Sequence, residues 1–463
     1  MKIHIAGAAG GEVTGSAYYV RTDRAAVLVD CGQFQGTRKS ETLNRWLPPS
    51  RVKLDAVLLT HAHLDHTGRL PVLAQRGHRV PVFATEATIE MTALILRDSA
   101  RILAADAEHK NRRRARAGEP PVPPLYTPED AETAIGMLRP VPYQQPVDVA
   151  PGIQAIWAEA GHMLGSASIQ LLVEEDGRRK RIVFSGDLGP KSAPILRTYE
   201  PFHEADMVFL ESTYGSRDHR PFARTVEEFI SIVNAAIASG GKMLVPTFAV
   251  GRAQLIAGLL GWMFRHQKAR PFPIFLDSPM AIQAMDIYSK HRELFDDEAL
   301  KFLEQGSLRD ELRTMKLCVT SEDSKRINDQ PGPCLVMAGA GMCNAGRILH
   351  HFKANLWKPE THVLIVGYQA AGTLGRQLVD HADSVRIFGE KIAVRANIHT
   401  MGGFSAHAGQ TDLLAWLEAI APSRPRVVLT HGEAESRLAL DGKIRERFGL
   451  QPQLPGLNEA IEC

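Results

Sequence analysis

The sequence predicts an α/β protein of two domains, one of which interrupts the other. Short β-favouring apolar runs, several ending in an acid or a histidine, fill the first 215 or so residues and return after about residue 390. Between these stretches, strands and helices alternate regularly, which is typical of a parallel, doubly wound sheet with helices on both faces. The length of 463 residues also exceeds that of one ordinary domain.

The composition is that of a globular protein outside the membrane. It is 44% hydrophobic and 23% charged, and no apolar run reaches the roughly 18 residues that a membrane span requires. The five cysteines are an odd number without a Cys-x-x-Cys pair, so we expect reduced thiols in a cytoplasmic protein. The net charge of +2 does not by itself indicate a nucleic-acid partner, so any basic surface that binds one must be local.

A dense histidine cluster follows the first long apolar run. The run 54–60 predicts a buried strand, and it leads directly into His61, His63, Asp65 and His66. Imidazole and carboxylate groups are the usual nitrogen and oxygen ligands of zinc-like ions. Because His61 and His63 alternate in an extended loop, they project the same way, whereas Asp65 and His66 lie around the turn and suit a second ion. A polar surface loop is the poorer explanation of this density.

Other predicted strands end in the same manner. Asp30 follows a buried strand and is expected to orient the histidine loop, although an ordinary turn aspartate before Gly32 is the alternative. The further strand-end or loop residues are His162, Asp187, Glu211, His407 and His431. Acids and histidines at the same kind of turn describe a site built along one edge of a sheet.

The middle of the chain has its own pattern. A helix is predicted over 224–239, with Thr225 and Glu228 as a capping box and Gly240 as its end. Strands are predicted at 242–246, 273–276, 334–338 and 362–366. A long helix over 85–103 precedes the basic run 110–116, which is either a solvated face or a rim that attracts phosphate.

Taken in order, these motifs resemble the β-CASP branch of the metallo-β-lactamase superfamily over nearly the whole chain. The nearest members are bacterial and archaeal ribonucleases related to the endonuclease subunit that cleaves pre-mRNA before polyadenylation. The resemblance implies a metallo-β-lactamase αββα sandwich formed by residues 1–215 and 390–463. It also implies an inserted doubly wound α/β β-CASP domain over residues 216–389.

The resemblance also implies roles for the motif residues. His61, His63 and His162 match the ligands of one Zn²⁺, and Asp65, His66 and His431 match those of the other, with Mn²⁺ as a substitute. Asp187 matches the bridging ligand, and Asp30 the aspartate that orients the ligands. The expected catalytic residues are Asp65, Glu211 and His407. RNA contacts are expected from Tyr214, Arg252, Arg347, Arg376 and Ser405, each of which is equally explained as a structural residue.

The implied activity is hydrolysis of phosphodiester bonds in single-stranded RNA. A metal-bridging hydroxide would attack the phosphate, and His407 would protonate the departing 3′-oxygen as a general acid. Endonucleolytic cleavage is expected, with 5′-exonucleolytic action left open. The expected partner is single-stranded RNA without a membrane, and a homodimer is left open.

Three alternatives compete with this interpretation. A DNA nuclease of the crosslink-repair type shares the fold, but that branch usually has valine at the position of His431. An ester or thioester hydrolase would not need the inserted domain and would leave the Glu211 and His407 pair unexplained. A non-catalytic RNA-binding subunit is opposed by the complete set of ligands.

Overall fold

The chain forms two compact units. The computed structural model describes residues 1–36, 42–45, 53–175, 177–367, 369 and 372–463. The first unit comprises Met1–Lys191, Thr198–Asp218 and His407–Cys463, and the inserted unit comprises Ser192–Arg197 and His219–Ala406. We expected the chain to return to the first unit near residue 390. It returns at His407, because the strand Asn397–Thr400 pairs with His362–Ile365 in the sheet of the inserted unit.

The first unit contains two sheets. The strands of the seven-stranded sheet are, in spatial order, Ala460–Glu462, Lys2–Ile5, Tyr18–Arg21, Ala26–Val29, Ala56–Leu58, Val82–Ala84 and Leu138–Pro140. Those of the six-stranded sheet are Arg426–Thr430, Met207–Glu211, Arg178–Phe184, Ala167–Glu175, Ile153–Glu159 and Val147–Ala150. The outer faces of both sheets carry helices, which gives the four layers of an αββα sandwich.

Side-chain alternation along the strands explains the layers. Val27 and Val29 point into the core between the two sheets, where they join Trp157 and Phe184, while Leu28 points outward against the helices of its own side. This is the period of two that a strand buried on both faces requires. The helices of this unit are Leu64–Thr67, Leu70–Gln75, Glu86–Arg116, Pro128–Ile135, Gln410–Glu418 and Ala434–Phe448.

Four strands of the six-stranded sheet bring their carboxyl ends to one edge. Arg178–Phe184, Met207–Glu211 and Arg426–Thr430 are parallel neighbours. Ile153–Glu159 runs in the same direction, because it is antiparallel to Ala167–Glu175, which in turn is antiparallel to Arg178–Phe184. The loops that follow these strands therefore meet at one edge of the sandwich.

The inserted unit is built on a six-stranded sheet in which every pairing is parallel. Its strands are, in spatial order, Met315–Leu317, Ile274–Asp277, Cys334–Ala338, Lys242–Pro246, His362–Ile365 and Asn397–Thr400. Leu335 and Met337 pack into a core on one face, and Cys334 and Val336 pack into another core on the opposite face. Both faces are covered, as the predicted doubly wound arrangement requires.

The remaining elements of the inserted unit are helices and one hairpin. The helices are Phe222–Ser239, Arg252–Arg265, Pro279–Lys290, Asp297–Glu304, Leu308–Glu311, Ser321–Asp329, Ile348–Asn355 and Leu374–Val379. The hairpin pairs Ser384–Ile387 with Glu390–Ala393. Short 3₁₀ turns occupy Leu43–Arg45, Arg292–Leu294, Gly402–Phe404 and Ala421–Ser423 in the two units.

Two helix boundaries differ from the prediction. The capping box expected from Thr225 and Glu228 is wrong, because the helix begins one turn earlier after Pro221 and Thr225 is buried inside it. The helix predicted over 85–103 continues to Arg116, so the basic run is helical. The cations in its last turn interact favourably with the negative end of the helix dipole. Among the described residues, none of the helices is both long and apolar enough to span a bilayer.

Candidate metal centre

The histidine loop is fixed by backbone contacts to the turn that follows the strand Ala26–Val29. The amide of Cys31 donates to the carbonyl of His66 at 2.8 Å, and the amide of Gln33 donates to that of Leu64 at 2.9 Å. The approach is so close that a Cβ atom on Gly32 would lie 1.5 Å from the carbonyl oxygen of Asp65. Glycine is therefore required at position 32 for the loop to dock.

Three histidines and an aspartate form the first ligand group. His63 Nδ1 lies 3.2 Å from His61 Nε2 and 3.1 Å from His162 Nε2. Two nitrogens that bind one tetrahedral zinc at about 2.0–2.1 Å lie about 3.4 Å apart, so the spacing suits a shared ion. Burial lowers the pKa of His63 to about 4 and that of His61 well below its usual value, which keeps both rings neutral, as metal ligation requires.

Asp65, His66 and His431 form the second group. His66 Nε2 lies 3.2 Å from His431 Nε2, although the two residues are 365 positions apart in the sequence. His431 Nε2 lies 3.5 Å from Asp65 Oδ2. The group thus offers two nitrogens and one carboxylate oxygen, which is a donor set that zinc accepts.

Asp187 lies between the two groups and faces each with a different oxygen. Its Oδ2 is 3.5 Å from His61 Nε2 and 3.6 Å from His162 Nε2. Its Oδ1 is 3.4 Å from His66 Nε2 and 3.5 Å from His431 Nδ1. Burial alone would raise the pKa of Asp187, but the histidines around it, His431 and His66 above all, hold the pKa well below its usual value.

The position of Asp187 also tests whether a metal fits. Its Oδ1 is buried and has no hydrogen-bond partner among the described residues. A buried carboxylate oxygen without a partner is costly unless an ion or a proton compensates it. Since the oxygen faces two imidazole nitrogens at ligand spacing, the residues present fit a bridged metal pair, and the His/Asp cluster indicates a metal cofactor.

Asp30 orients the second group through hydrogen bonds. Its Oδ1 accepts from the amide of Thr60 at 2.8 Å, and its Oδ2 accepts from the Thr60 hydroxyl at 2.8 Å. The same Oδ2 lies 2.7 Å from His66 Nδ1. Burial would lower the pKa of His66, but Asp187 and Asp30 outweigh it and raise that pKa well above its usual value. Asp30 therefore turns Nε2 of His66 toward the centre.

Two threonines that the sequence did not single out support the ligands. The Thr60 hydroxyl lies 3.0 Å from His61 Nδ1 and 3.4 Å from His66 Nδ1 as well as contacting Asp30, so it touches one histidine of each ligand group. The Thr213 hydroxyl lies 3.1 Å from His431 Nδ1. Threonine is common at strand ends because of its β-propensity. The only sequence signals for these contacts were therefore the position of Thr60 next to His61 and that of Thr213 two residues after Glu211.

Glu211 and His407 form a third group with Asp187. Glu211 is buried, and its Oε1 accepts from the amide of Leu188 at 2.8 Å and lies 3.3 Å from His407 Nδ1. Burial lowers the pKa of His407, but Glu211 and Asp187 outweigh burial, and the pKa is raised above its usual value. The two acids thus favour the protonated form of the imidazole, which is 21% exposed and lies beside the ligand cluster.

The expected RNA contacts fall into two sets. Tyr214 belongs to the first unit, and its ring centroid lies 6.3 Å from that of His407. Arg347 donates to Asp277 at 2.8 Å and to two backbone carbonyls, which accounts for its position within the inserted unit. Arg376 forms an exposed ion pair with Asp380 at 2.9 Å.

The last two of these expected contacts belong to the inserted unit as well. Arg252 begins the helix Arg252–Arg265, and Ser405 follows the 3₁₀ turn Gly402–Phe404. Contact with RNA stays a prediction for all five residues.

Family models match three consecutive parts of the chain. Residues 10–219 match the model of the metallo-beta-lactamase superfamily, and residues 253–378 match the Beta-Casp domain. Residues 391–455 match the model described as a Zn-dependent metallo-hydrolase RNA specificity domain.

Curated proteins of similar sequence match over the full chain. "Ribonuclease TTHA0252" of Thermus thermophilus is 40% identical over 456 residues, which cover 98% of each chain. "Transcription termination factor FttA" of Cenarchaeum symbiosum is 31% identical over 98% of this chain and 69% of its own length. The FttA of Thermococcus kodakarensis is 31% identical over 99% and 71%.

One solved structure shares the architecture. A protein of unknown function from Enterococcus faecalis V583 superimposes with a TM-score of 0.56, covering 99% of both chains at 12% sequence identity. At this identity the likeness shows the fold alone.

Proposed function

The chain belongs to the β-CASP branch of the metallo-β-lactamase superfamily, and on this premise we propose that it is a zinc-dependent ribonuclease that hydrolyses single-stranded RNA. The strongest support is the position of Asp187, whose two oxygens face two histidine groups while His407 lies beside them. A bimetallic centre with an adjacent proton donor is an arrangement suited to phosphodiester hydrolysis.

Seven residues would hold two ions. His61, His63 and His162 would bind the first, Asp65, His66 and His431 the second, and Asp187 would bridge them. When bound, such ions lower the pKa of water and neutralise negative charge that develops on the phosphate. Zn²⁺ is the ion that this donor set favours, and Mn²⁺ is a substitute.

His407 is the group that would supply the proton to the leaving 3′-oxygen. Its Nδ1 contacts Glu211, so the proton to be transferred would be carried on Nε2. Glu211 is itself held by the amides of Leu188 and Thr213, so it fixes the ring orientation and favours the imidazolium form. A positioned acid of this kind typically contributes roughly 10²–10⁴ in rate.

RNA is favoured over other substrates by the relatives and by the C-terminal part of the chain. One relative is named a ribonuclease and others a transcription termination factor. The matched RNA specificity domain, residues 391–455, includes both His407 and His431. The Glu211 and His407 pair suits protonation of the alkoxide that leaves from a phosphodiester. An ester or thioester hydrolase would not need the inserted domain.

A substrate panel tests the proposal. Purified protein would be incubated with labelled single-stranded RNA, single-stranded DNA, duplex RNA and a set of esters and thioesters, each with and without chelator. We expect chelator-sensitive cleavage of single-stranded RNA that leaves 5′-phosphate ends, and close to two zinc-like ions per chain by elemental analysis. Turnover of esters with intact RNA, or a metal content near zero in metal-replete buffer, would refute it.

A circular RNA decides the mode of cleavage. Because a circle has no 5′ end, only an endonuclease opens it, and we expect opening at a rate similar to that of the linear strand. The matched control is Asp187→Asn, which keeps the size of the bridging side chain but removes its charge and one acceptor oxygen.

A further inference from the structure

The hairpin of the inserted unit has an unusual residue in its turn. Ile387 pairs with Glu390, so the loop consists of Phe388 and Gly389 alone. Both have positive φ, 52° for Phe388 and 86° for Gly389, as a two-residue turn of type I′ requires. Asn-Gly is the favoured sequence of such turns, whereas a bulky side chain at positive φ is strained.

The backbone strain at Phe388 is not offset by burial of its side chain. The residue is 59% exposed, which makes it one of the most exposed large apolar residues that the structure describes. Its ring lies 4.7 Å from the His350 imidazole, with 37° between the planes. Backbone strain that persists without a packing gain points to a functional role, and here it holds an aromatic ring in solvent.

The same hairpin places two cations opposite each other. Arg386 and Lys391 are directly paired across the two strands, and both are exposed. Like charges at directly opposite positions destabilise a strand pair unless an anion lies between them. The one acid of the hairpin strands, Glu390, is already paired with Lys353 at 2.6 Å. Arg386 donates to the carbonyl of Gly389, and within the described part of the chain neither Arg386 nor Lys391 forms an ion pair with an acid.

A groove adjoins the ring and the two cations. It has a volume of about 720 Å³ and is lined by Phe388, Arg386 and Lys391 together with the polar side chains of Asn344, Gln377 and Ser384. No acidic side chain is among the lining residues of the described chain. The combination of a π-face, cations and amide groups is the one that binds single-stranded nucleic acid.

We propose that this hairpin groove, whose lining includes Phe388, Arg386 and Lys391 and none of the candidate metal ligands, is a binding site for single-stranded RNA. A base stacks on Phe388, and a neighbouring phosphate lies between Arg386 and Lys391. The inference rests on the proposed ribonuclease function for the identity of the polynucleotide, and it adds a second contact that strengthens binding without taking part in hydrolysis.

Two signatures separate the stacking contact from the charge contact. Phe388→Ala weakens RNA binding by roughly 5-fold to 150-fold, the usual worth of one stacked base, and leaves the salt dependence unchanged. Arg386→Ala and Lys391→Ala each weaken binding. Because both cations contact the same phosphate, the double variant reduces the slope of log affinity against log salt by about 0.7, the value for one phosphate on a single strand.

Phe388→Asn distinguishes function from folding. Asparagine suits the type I′ turn, so this variant keeps or raises the melting temperature while it loses the stacked base. Phe388→Tyr retains stacking and binds RNA as the parent does. The matched controls in the same unit are Leu317→Ala, which removes another exposed apolar side chain, and Lys325→Ala, which removes an exposed cation. Neither control changes affinity or salt slope.

The experiment measures fluorescence anisotropy of a labelled single-stranded RNA of roughly 20 nucleotides, longer than the site sizes of about 4–16 nucleotides known for such platforms. All variants are made in full-length protein carrying His407→Ala, so that the RNA stays intact. Unchanged affinity and salt slope in every hairpin variant overturns the inference, including the case in which the hairpin serves a protein partner instead.

The same series of variants distinguishes failure of the proposed function from failure of the proposed RNA-binding site. If the protein with His407 intact cleaves RNA and the hairpin variants bind RNA normally, the inference fails while the proposed function stands. If that protein cleaves no RNA but the hairpin variants lose affinity, the proposed function fails while the binding site stands.

Discussion

The imidazole of His407 contacts the buried carboxylate of Glu211, with 3.3 Å between Nδ1 and Oε1, across 196 residues of sequence. The imidazole of His431, in contrast, faces Asp65 and Asp187, and its Nδ1 lies within hydrogen-bond distance of the Thr213 hydroxyl. The two late histidines thus lie in different surroundings, since His407 is closest to Glu211, with Asp187 at 3.9 Å, whereas His431 lies in the group formed with Asp65 and His66. Their substitution should fail in different ways.

We expect His407→Ala to keep both metals and to bind RNA, yet to lose turnover by a factor of roughly 10²–10⁴, because only the proton donor is removed. We expect His431→Ala to weaken one metal, because its ion is left with open coordination. The measurement pairs metal content with single-turnover cleavage. Added zinc or manganese should partly restore His431→Ala alone. Loss of a metal from His407→Ala with both retained in His431→Ala would mean that the roles are reversed.

Thr60 offers a test of how the ligands are held. Thr60→Val keeps the shape of the side chain but removes the hydroxyl that contacts Asp30 and His61. We expect metal affinity to fall by about 10- to 100-fold, the usual effect of losing a group that orients a ligand. The control is Thr92→Val, since the buried Thr92 hydroxyl has no hydrogen-bond partner among the described residues. Equal metal affinity in both variants, measured by competition with a chelating dye, would contradict the role of Thr60.

Glu159 should make stability fall with rising pH. Burial raises the pKa of this carboxyl to about 8, whereas in the unfolded chain it titrates near its ordinary value of about 4.5. Between these values the folded protein binds the extra proton, so unfolding becomes easier as pH increases through that window.

Glu159→Gln removes this titration. We expect the variant to be more stable than the parent at pH 8 and to show a smaller decline in melting temperature between about pH 5 and pH 8, because the group that must stay protonated is gone. The glutamine still offers an acceptor oxygen to the amide of Gly161, which donates to Glu159 Oε1 at 3.0 Å in the parent. Identical pH profiles for both proteins would exclude a buried neutral Glu159.

Asp277 organises a buried polar cluster in the inserted unit. It accepts from Ser324 at 2.6 Å and from Arg347 at 2.8 Å, and it lies 2.7 Å from His351 Nε2. Burial would raise the pKa of Asp277, but these hydrogen bonds outweigh it and lower the pKa. The stability that the carboxylate contributes is therefore present above about pH 4 and is lost as pH falls through the lower folded value.

We expect Asp277→Ala to cost about 3–5 kcal/mol in the free energy of unfolding, because it leaves a largely buried guanidinium without its partner. The matched control is Asp380→Ala, which breaks the exposed Arg376 pair and should cost no more than about 1 kcal/mol. Both are measured by denaturant titration at pH 7. A similar, small cost for the two variants would show that the buried cluster is not structural.

The strand ends that carry the candidate site were predictable because the pattern is local. The strand-then-acid pattern placed Asp187 and Glu211 on turns that the parallel strands of the six-stranded sheet bring to one edge, and the strand-then-histidine pattern placed His61 after Ala56–Leu58 of the other sheet. Alternation in the loop separates His61 and His63 from Asp65 and His66, but which of these two groups His162 and His431 join does not follow from periodicity, because it depends on contacts such as that of His66 with His431, 365 residues away. The family resemblance supplied that pairing.

Other features could not be predicted from the sequence, for identifiable physical reasons. The stretch 390–400 has strong β-propensity, but propensity alone does not say which sheet a strand joins. The sequence therefore predicted that the chain returns to the first unit before Asn397–Thr400, whereas it returns after that strand. Thr225 and Glu228 have the spacing of a capping box, but Pro221 begins the helix earlier. Arg347 follows a glycine-rich turn, and only its contact with Asp277, 70 residues away, shows its structural role.

The division of the ligands between distant segments has a consequence for biosynthesis. On the ribosome, His61, His162 and Asp187 emerge before the inserted unit, while His407 and His431 emerge after it. At about 5–20 residues per second, synthesis of the chain from Asp187 to His431 takes on the order of tens of seconds. Under the proposed ligand assignment, the first ion would have its ligands during that interval and the second would not. Translation would then delay assembly of the complete centre until His407 has also been made.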